Sequence, residues 1–233
     1  MILSQNTLKI LQNFAQINPN IVIEKDSNTL KTVSEAKNIM AQAETDDVFD
    51  AEIGIFDLNE FLSAVAVIPS PEFIFDSNHI TIRSTTSKSS IKYFCASPSI
   101  LTYPKSTISD PKYDISITLS TENIMMLKKA ASVLSHDRFS FVKEADSSDV
   151  YIQVSDINNK SSNAYREIIG TVDDNSEFSF NFLIANLKLL PVQYTVELSS
   201  QFISKWSSVS EEAKPDIVYW LAIETSSTYS PKK

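Results

Sequence analysis

Apolar and polar residues alternate in short runs along most of the chain, and only twice does the apolar spacing lengthen to that of a long helix. Over 4–15, Leu8, Leu11 and Ala15 recur at i, i+3 and i+7 behind Ser4, which predicts an amphipathic helix with a serine N-cap. Over 120–135 the pattern returns, with Ile124, Leu127 and Ala131 behind Ser120. The offset between the two helices is constant and close to half the chain. After the first helix come β-type runs at 20–24, 29–33, 38–43 and 51–56. Asp57 to Glu60 then has the form of a capping box opening a helix that runs to Val65 and is stopped by Pro69 and Pro71. Strands at 72–76, 79–84 and 88–95 follow. Around the second long helix the order repeats: strands at 114–119, 138–143, 149–156, 162–169 and 177–182, a short helix over 184–190, and strands at 193–199 and 217–224. Residues 201–216 read as a loop or irregular hairpin. Between the halves, 97–112 holds three prolines and four serines, the composition of an extended connector. The expectation is a duplicated α+β unit, with domains at 1–96 and 113–233 joined by 97–112.

Composition narrows the function. The 233 residues carry a net charge of −9, which argues against a broad nucleic-acid surface and leaves room only for a small basic face. Two glycines, Gly54 and Gly170, cannot form a glycine-rich phosphate loop. Two histidines and the single Cys95 cannot supply a Cys/His zinc site, and no nucleophile, base and acid stand at a recognisable spacing. The adjacent acids Asp46-Asp47, Asp173-Asp174 and Glu211-Glu212 read as solvated turns. No catalytic residue, metal or cofactor is expected. No apolar run nears the roughly 18 residues of a membrane span, and a lone cysteine suits a reducing cytoplasm.

The polar faces of the two long helices stand out. Gln5, Lys9, Gln12 and Gln16 share one face of the first, and no carboxylate lies among them in a chain with 29 acids and 20 bases. The second helix presents Lys128 and Lys129, with Glu122 confined to the first turn, where the helix dipole favours it. Either these are ordinary solvated faces, or they make loose, sequence-independent contact with phosphate.

Three segments resemble those of the T-even-type phage DNA sliding clamps, in the same order and at similar spacing. They are Ser4 to Asn18 (S-x-x-T-L-x-x-L-x-N-F-A-x-I-N), Ile55 to Leu62 (IFDLNEFL), and Phe178 to Phe182 running on into Asn186-Leu187-Lys188. The resemblance implies the DNA-clamp fold: two repeated domains per chain, antiparallel sheets outside, helices lining the hole of a homotrimeric ring. It also implies a non-enzymatic processivity factor that encircles duplex DNA in the infected host's cytoplasm and tethers the phage DNA polymerase. An ATP-dependent loader opens such rings, and some also assist late transcription. On this resemblance Gln5, Lys9, Gln12, Gln16, Lys128, Lys129 and Lys188 would face DNA, whereas Lys31 and Lys143 would point outward. Subunits would meet through Ile91, Tyr93 and Phe94 on one strand and Ala164, Tyr165 and Ile168 on another. Two departures are visible: the first helix carries only Lys9, and the stretch from Gln201 to Lys214 is longer than its counterpart.

Partner proteins need an apolar pocket. Leu101, Tyr103 and Ile108 are unusually apolar for a connector, and Tyr219 and Trp220 supply the second candidate wall, unless they are core. The competing expectation is an acidic, β-rich virion or assembly subunit, which would not need acid-free helix faces.

Overall fold

The structure is a computed structural model that describes every residue except 107, 160, 174–175, 210–215 and 232–233. The chain divides into two compact units, Met1–Ile108 with Ser210–Val218, and Ser109–Val209 with Tyr219–Lys233.

In the first unit α1 (Gln5–Ile17) starts where Ser4 accepts a hydrogen bond from the Thr7 N–H. It buries Ile10, Leu11, Phe14 and Ile17 on one side. Strand β1 (Ile21–Ile23) pairs antiparallel with β4 (Ile53–Ile55), and β2 (Ser27–Val33) forms a hairpin with β3 (Ile39–Phe49). Helix α2 (Leu58–Val67) begins at Asp57, whose carboxylate accepts from the Asn59 and Glu60 N–H groups. That is the accepting half of the expected capping box. Strands β5 (Pro71–Phe75), β6 (His79–Ser84) and β7 (Ser90–Phe94) form an antiparallel sheet in that order. Phe61 of α2 packs edge-on against Tyr93 of β7 at 5.2 Å, which ties helix to sheet.

The second unit opens with β8 (Ile115–Leu119) and α3 (Thr121–Leu134), where Ser120 and Asn123 close a full capping box. Strands β9 (Arg138–Lys143), β10 (Asp149–Val154), β11 (Tyr165–Thr171) and β12 (Glu177–Leu183) follow, then β13 (Tyr194–Ser199), β14 (Ile203–Ser208), β15 (Ile217–Ala222) and β16 (Thr228–Ser230). One sheet has the order β11-β10-β9-β12-β16, and β8, β13, β14 and β15 run side by side in another. Phe139 and Phe182 stack at 5.0 Å, and Trp206 closes over Phe141 and Phe182 at 5.9 and 6.1 Å. Each of these buried rings contributes about 1.5–3 kcal/mol by leaving water. The Trp206 indole N–H donates to the Ser204 hydroxyl, which donates to the Leu221 carbonyl, so the core tryptophan carries no orphan donor.

Four expectations fail. The 201–216 stretch contains β14; its inward positions are Ser204 and Trp206, and an inward serine hides the alternation. The remainder of that stretch, 210–215, lies outside the described residues, as does the Glu211-Glu212 pair. The helix expected over 184–190 is a single 3₁₀ turn, Ile184–Asn186, because Leu187 and Leu189 are both buried at a two-residue spacing that suits extended chain. Asp46 and Asp47 sit within β3, and the Asp47 carboxylate accepts from the Ser4 N–H and the Thr7 hydroxyl. Lys143 is fully buried, and its ammonium donates to the Ser176 carbonyl at 2.6 Å.

Candidate nucleic-acid face, sheet edges and partner groove

Gln5, Lys9, Gln12 and Gln16 are all exposed on α1, opposite the buried Leu11 and Phe14. Beside them a groove of about 460 Å³ opens between α1 and α2, with Gln5 and Gln12 at its lip and Leu8, Leu62, Val65 and Phe73 along its walls. Leu8, expected in the buried seam, is half-exposed on this groove. On α3, Lys128 and Lys129 are exposed in the company of Met125, Met126 and Val133. Desolvation by neighbouring atoms holds the Lys128 ammonium below the ordinary lysine pKa, although the residue as a whole is exposed. Lys188 is half-buried just beyond the 3₁₀ turn. The helix faces are therefore weakly basic and partly apolar, able to touch phosphate and unable to grip it.

Two strands end their sheets. Among the described residues β7 pairs only with β6, and β11 only with β10. On β7, Phe94 is 65% exposed with the Lys92 ammonium 5.2 Å above its ring. Ile91 and Tyr93 point the other way and are half-buried. The Tyr93 hydroxyl donates to the Asp57 carbonyl at 3.1 Å, and burial, reinforced by Glu60 and Asp57, pushes its pKa up to about 12. On β11, Ile168 is 55% exposed and Ala164 just ahead of the strand is exposed, whereas Tyr165 is half-buried and hydrogen-bonds Glu167. Burial and that bond raise the Tyr165 pKa to about 12. The exposed apolar edge residues are thus Phe94 and Ile168.

The connector lines a groove of about 730 Å³ with Leu101, Tyr103, Pro104 and Ile108, completed by Val33 and Met40 from the end of the β2–β3 hairpin. Asn18 and Asn20 hold it in place: the Asn18 amide donates to the carbonyls of Val33 and Thr102, and Asn20 accepts from the Thr102 N–H. Tyr219 is not a groove wall. It is fully buried in the second unit, edge-on to Tyr194 at 5.9 Å, and its hydroxyl accepts from the Leu190 N–H. Trp220 is half-exposed and its indole N–H is committed to Asp110 at 3.0 Å. Asp110 also accepts from Tyr113 and Lys205. Desolvation would raise its pKa, but the hydrogen bonds from Lys205, Trp220 and Tyr113 outweigh it and hold the carboxyl below its usual value. This clip was invisible in the sequence, since Lys205 and Trp220 lie 95 and 110 residues from Asp110 and none of its members belongs to a motif.

No family model matches the chain. Over 235 residues, 98% of this chain and 99% of the relative, it is 27% identical to the sliding clamp of Enterobacteria phage T4. It is 25% identical over 230 residues to the sliding clamp of Vibrio phage KVP40, covering 96% and 99% of the two. The chain is similar over almost its whole length to the sliding clamps of T-even-type phages. Its backbone also superposes on the A. fulgidus PCNA solved with the C-terminal region of FEN-1 bound, with a TM-score of 0.68 at 15% identity over 95% of this chain and 96% of that one. At that identity the likeness speaks for the clamp fold alone. Among the described residues no cluster of three or more His, Cys, Asp or Glu could hold a metal ion, and no helix is long and apolar enough to cross a membrane.

Proposed function

We propose that the protein is a sliding clamp that encircles duplex DNA and tethers the phage replicative polymerase, conferring processivity without catalysing a reaction. The observation that carries this reading is similarity to phage sliding clamps over essentially the whole chain, on a backbone of clamp type. An acidic virion subunit is not favoured, because that whole-length similarity has no place in it.

In this reading three subunits close a ring. The support is that β7 and β11, the strands implied to meet, are both sheet edges and both present an exposed apolar residue. Long apolar edges are an aggregation hazard unless a partner covers them. Exposed Lys9, Lys128 and Lys129 on acid-poor helix faces suit loose contact with phosphate, since a ring holds DNA topologically and tight binding would impede sliding. The connector groove suits a peptide tail of the polymerase or of the ATP-driven loader. The working compartment is the cytoplasm of the infected host. The test is synthesis on a primed circular template with phage polymerase and loader. Products should lengthen when this protein is added, and linearising the template so that rings slide off should abolish the gain. Equal stimulation on linear DNA with free ends would reject encirclement.

A further inference from the structure

We propose that the groove between α1 and α2 receives an unpaired nucleobase of DNA held against α1, so that the protein responds to unpaired bases as well as to the phosphate backbone. The inference rests on reading α1 as a DNA-facing helix, and it adds a base-binding site beside that face.

The groove holds about 460 Å³, within the roughly 300–1,000 Å³ of small-ligand sites. Its walls follow from helical spacing: Gln5, Leu8 and Gln12 fall at i, i+3 and i+7 on α1, and Leu62, Val65 and Ala66 at i, i+3 and i+4 on α2. Both ends of the frame are held. The Asp47 carboxylate accepts from the Ser4 N–H and the Thr7 hydroxyl at the start of α1. Across the groove, the Ser70 carbonyl accepts from both the N–H and the hydroxyl of Thr85. Charged residues make up 21% of the chain, yet none lies in the described lining. The polar lining groups are the amides of Gln5 and Gln12 and the hydroxyls of Ser70 and Thr85, all neutral and able both to donate and to accept. Both glutamine amides are exposed and make no hydrogen bond among the described residues. Lys9 stands between them on the same exposed face, and α1 carries no carboxylate. A charged ligand would be desolvated there without a partner, and a wholly apolar one would leave the rim amides unused. A nucleotide answers every part of the site. Its base has apolar faces for the leucine walls and a neutral edge of donors and acceptors for the amides, and its phosphate is drawn to Lys9. Bases taken out of the helix are held in this way, between apolar side chains and by hydrogen bonds at the edge. In fully paired DNA the bases are stacked out of reach, so the groove discriminates a gap, a bulge or a frayed end from intact duplex.

The test uses the intact protein and three fluorescein-labelled duplexes of one sequence: fully paired, with a single bulged 2-aminopurine, and with an abasic bulge at the same place. Anisotropy at low salt should show the 2-aminopurine bulge binding roughly 3- to 10-fold tighter than the abasic one, the low end of what holding one base supplies. The emission of the 2-aminopurine should change with the same affinity. Ala66→Trp, which fills the groove from an exposed position, should abolish the difference, and so should Gln5→Ala/Gln12→Ala. Equal affinity for the two bulged duplexes, or the full preference kept in either variant, would overturn the base site. Weaker binding of the paired duplex by Lys9→Glu would in that case leave α1 standing as a DNA face. Binding of all three duplexes unchanged by Lys9→Glu would overturn the DNA-facing reading of α1 and the proposal with it.

Discussion

The carbonyl oxygen of Ala96 lies 2.3 Å from where a Cβ would stand on Gly54, and the Ala96 N–H donates to the Gly54 carbonyl at 2.8 Å. The chain leaving β7 therefore crosses directly over β4, at a position where only glycine leaves room. Leu101 closes the same spot, 3.1 Å from that Cβ position. A Gly54→Ala substitution must push the start of the connector outward, because the obstacle is backbone. The expected loss is about 1–3 kcal/mol of stability, typical of overpacking. The urea midpoint should fall, and peptide binding in the connector groove should weaken with it. A midpoint unchanged from wild type would mean that the connector yields freely here.

Asp110 gathers hydrogen bonds from Tyr113, Lys205 and Trp220. Its folded pKa is depressed, so the stability it contributes is present above its unfolded pKa and is lost as pH falls through the lower folded value. The fluorescence of Trp220 in a Trp206→Phe background should stay constant from neutral pH down to about pH 4, the ordinary carboxylate range, and change only below it. Asp110→Asn should show the low-pH spectrum at all pH values. A transition near pH 6 in the wild-type residue would point to a different group.

Much of the fold was legible because its elements obey local rules. Ser4 and Ser120 do cap the two long helices, and Leu11 with Leu127 and Ala15 with Ala131 are buried at matching positions. Strand β14 was not legible, since Ser204 faces inward to complete the hydrogen bonds of Trp206. Lys143 read as an outer lysine because nothing in a strand pattern announces that an ammonium is satisfied by the Ser176 carbonyl. Of the sites, the exposed face of α1 follows directly from helical periodicity. Tyr219 and Trp220 could not be assigned that way, because alternation places one of them inward but does not reveal Asp110 waiting for the other.

Thr32 on β2 is 2% exposed, and its hydroxyl has no hydrogen-bond partner among the described residues. A buried hydroxyl without a partner costs about 1–3 kcal/mol of desolvation. Thr32→Val keeps the branched shape and removes the polar atom. The thermal midpoint should rise, by an amount equivalent to about 1 kcal/mol. A lower midpoint would reveal that the hydroxyl is satisfied by ordered water.

Changing Lys9, Lys128 and Lys129 to Glu should reduce processive synthesis by at least about tenfold, since it replaces attraction to phosphate with repulsion. Circular dichroism and the oligomeric state should not change, because all three are exposed. Lys31 and Lys25 to Glu serve as the control; Lys143 cannot, being buried. An equal loss in the control would show that the effect follows net charge and not the helix faces.

If subunits close a ring through β7 and β11, these two sheet edges separate fold from assembly. Tyr93 is anchored within its own unit through Phe61 and the Asp57 carbonyl, so changing it would damage the fold as well as any contact. Phe94 and Ile168 point outward, 65% and 55% exposed, and neither supports a core. Phe94→Asp and Ile168→Asp should each leave the denaturation midpoint within about 0.5 kcal/mol of wild type, as exposed substitutions do. Each should shift the mass seen by light scattering from trimer to monomer at micromolar concentration, because an aspartate cannot be buried at an interface without a partner. If both edges meet in one contact, the double variant will be no more dissociated than either single one, and processive synthesis will be lost in all three. A wild-type protein that is monomeric at high concentration, or variants that remain trimeric, would remove β7 and β11 as the closing strands.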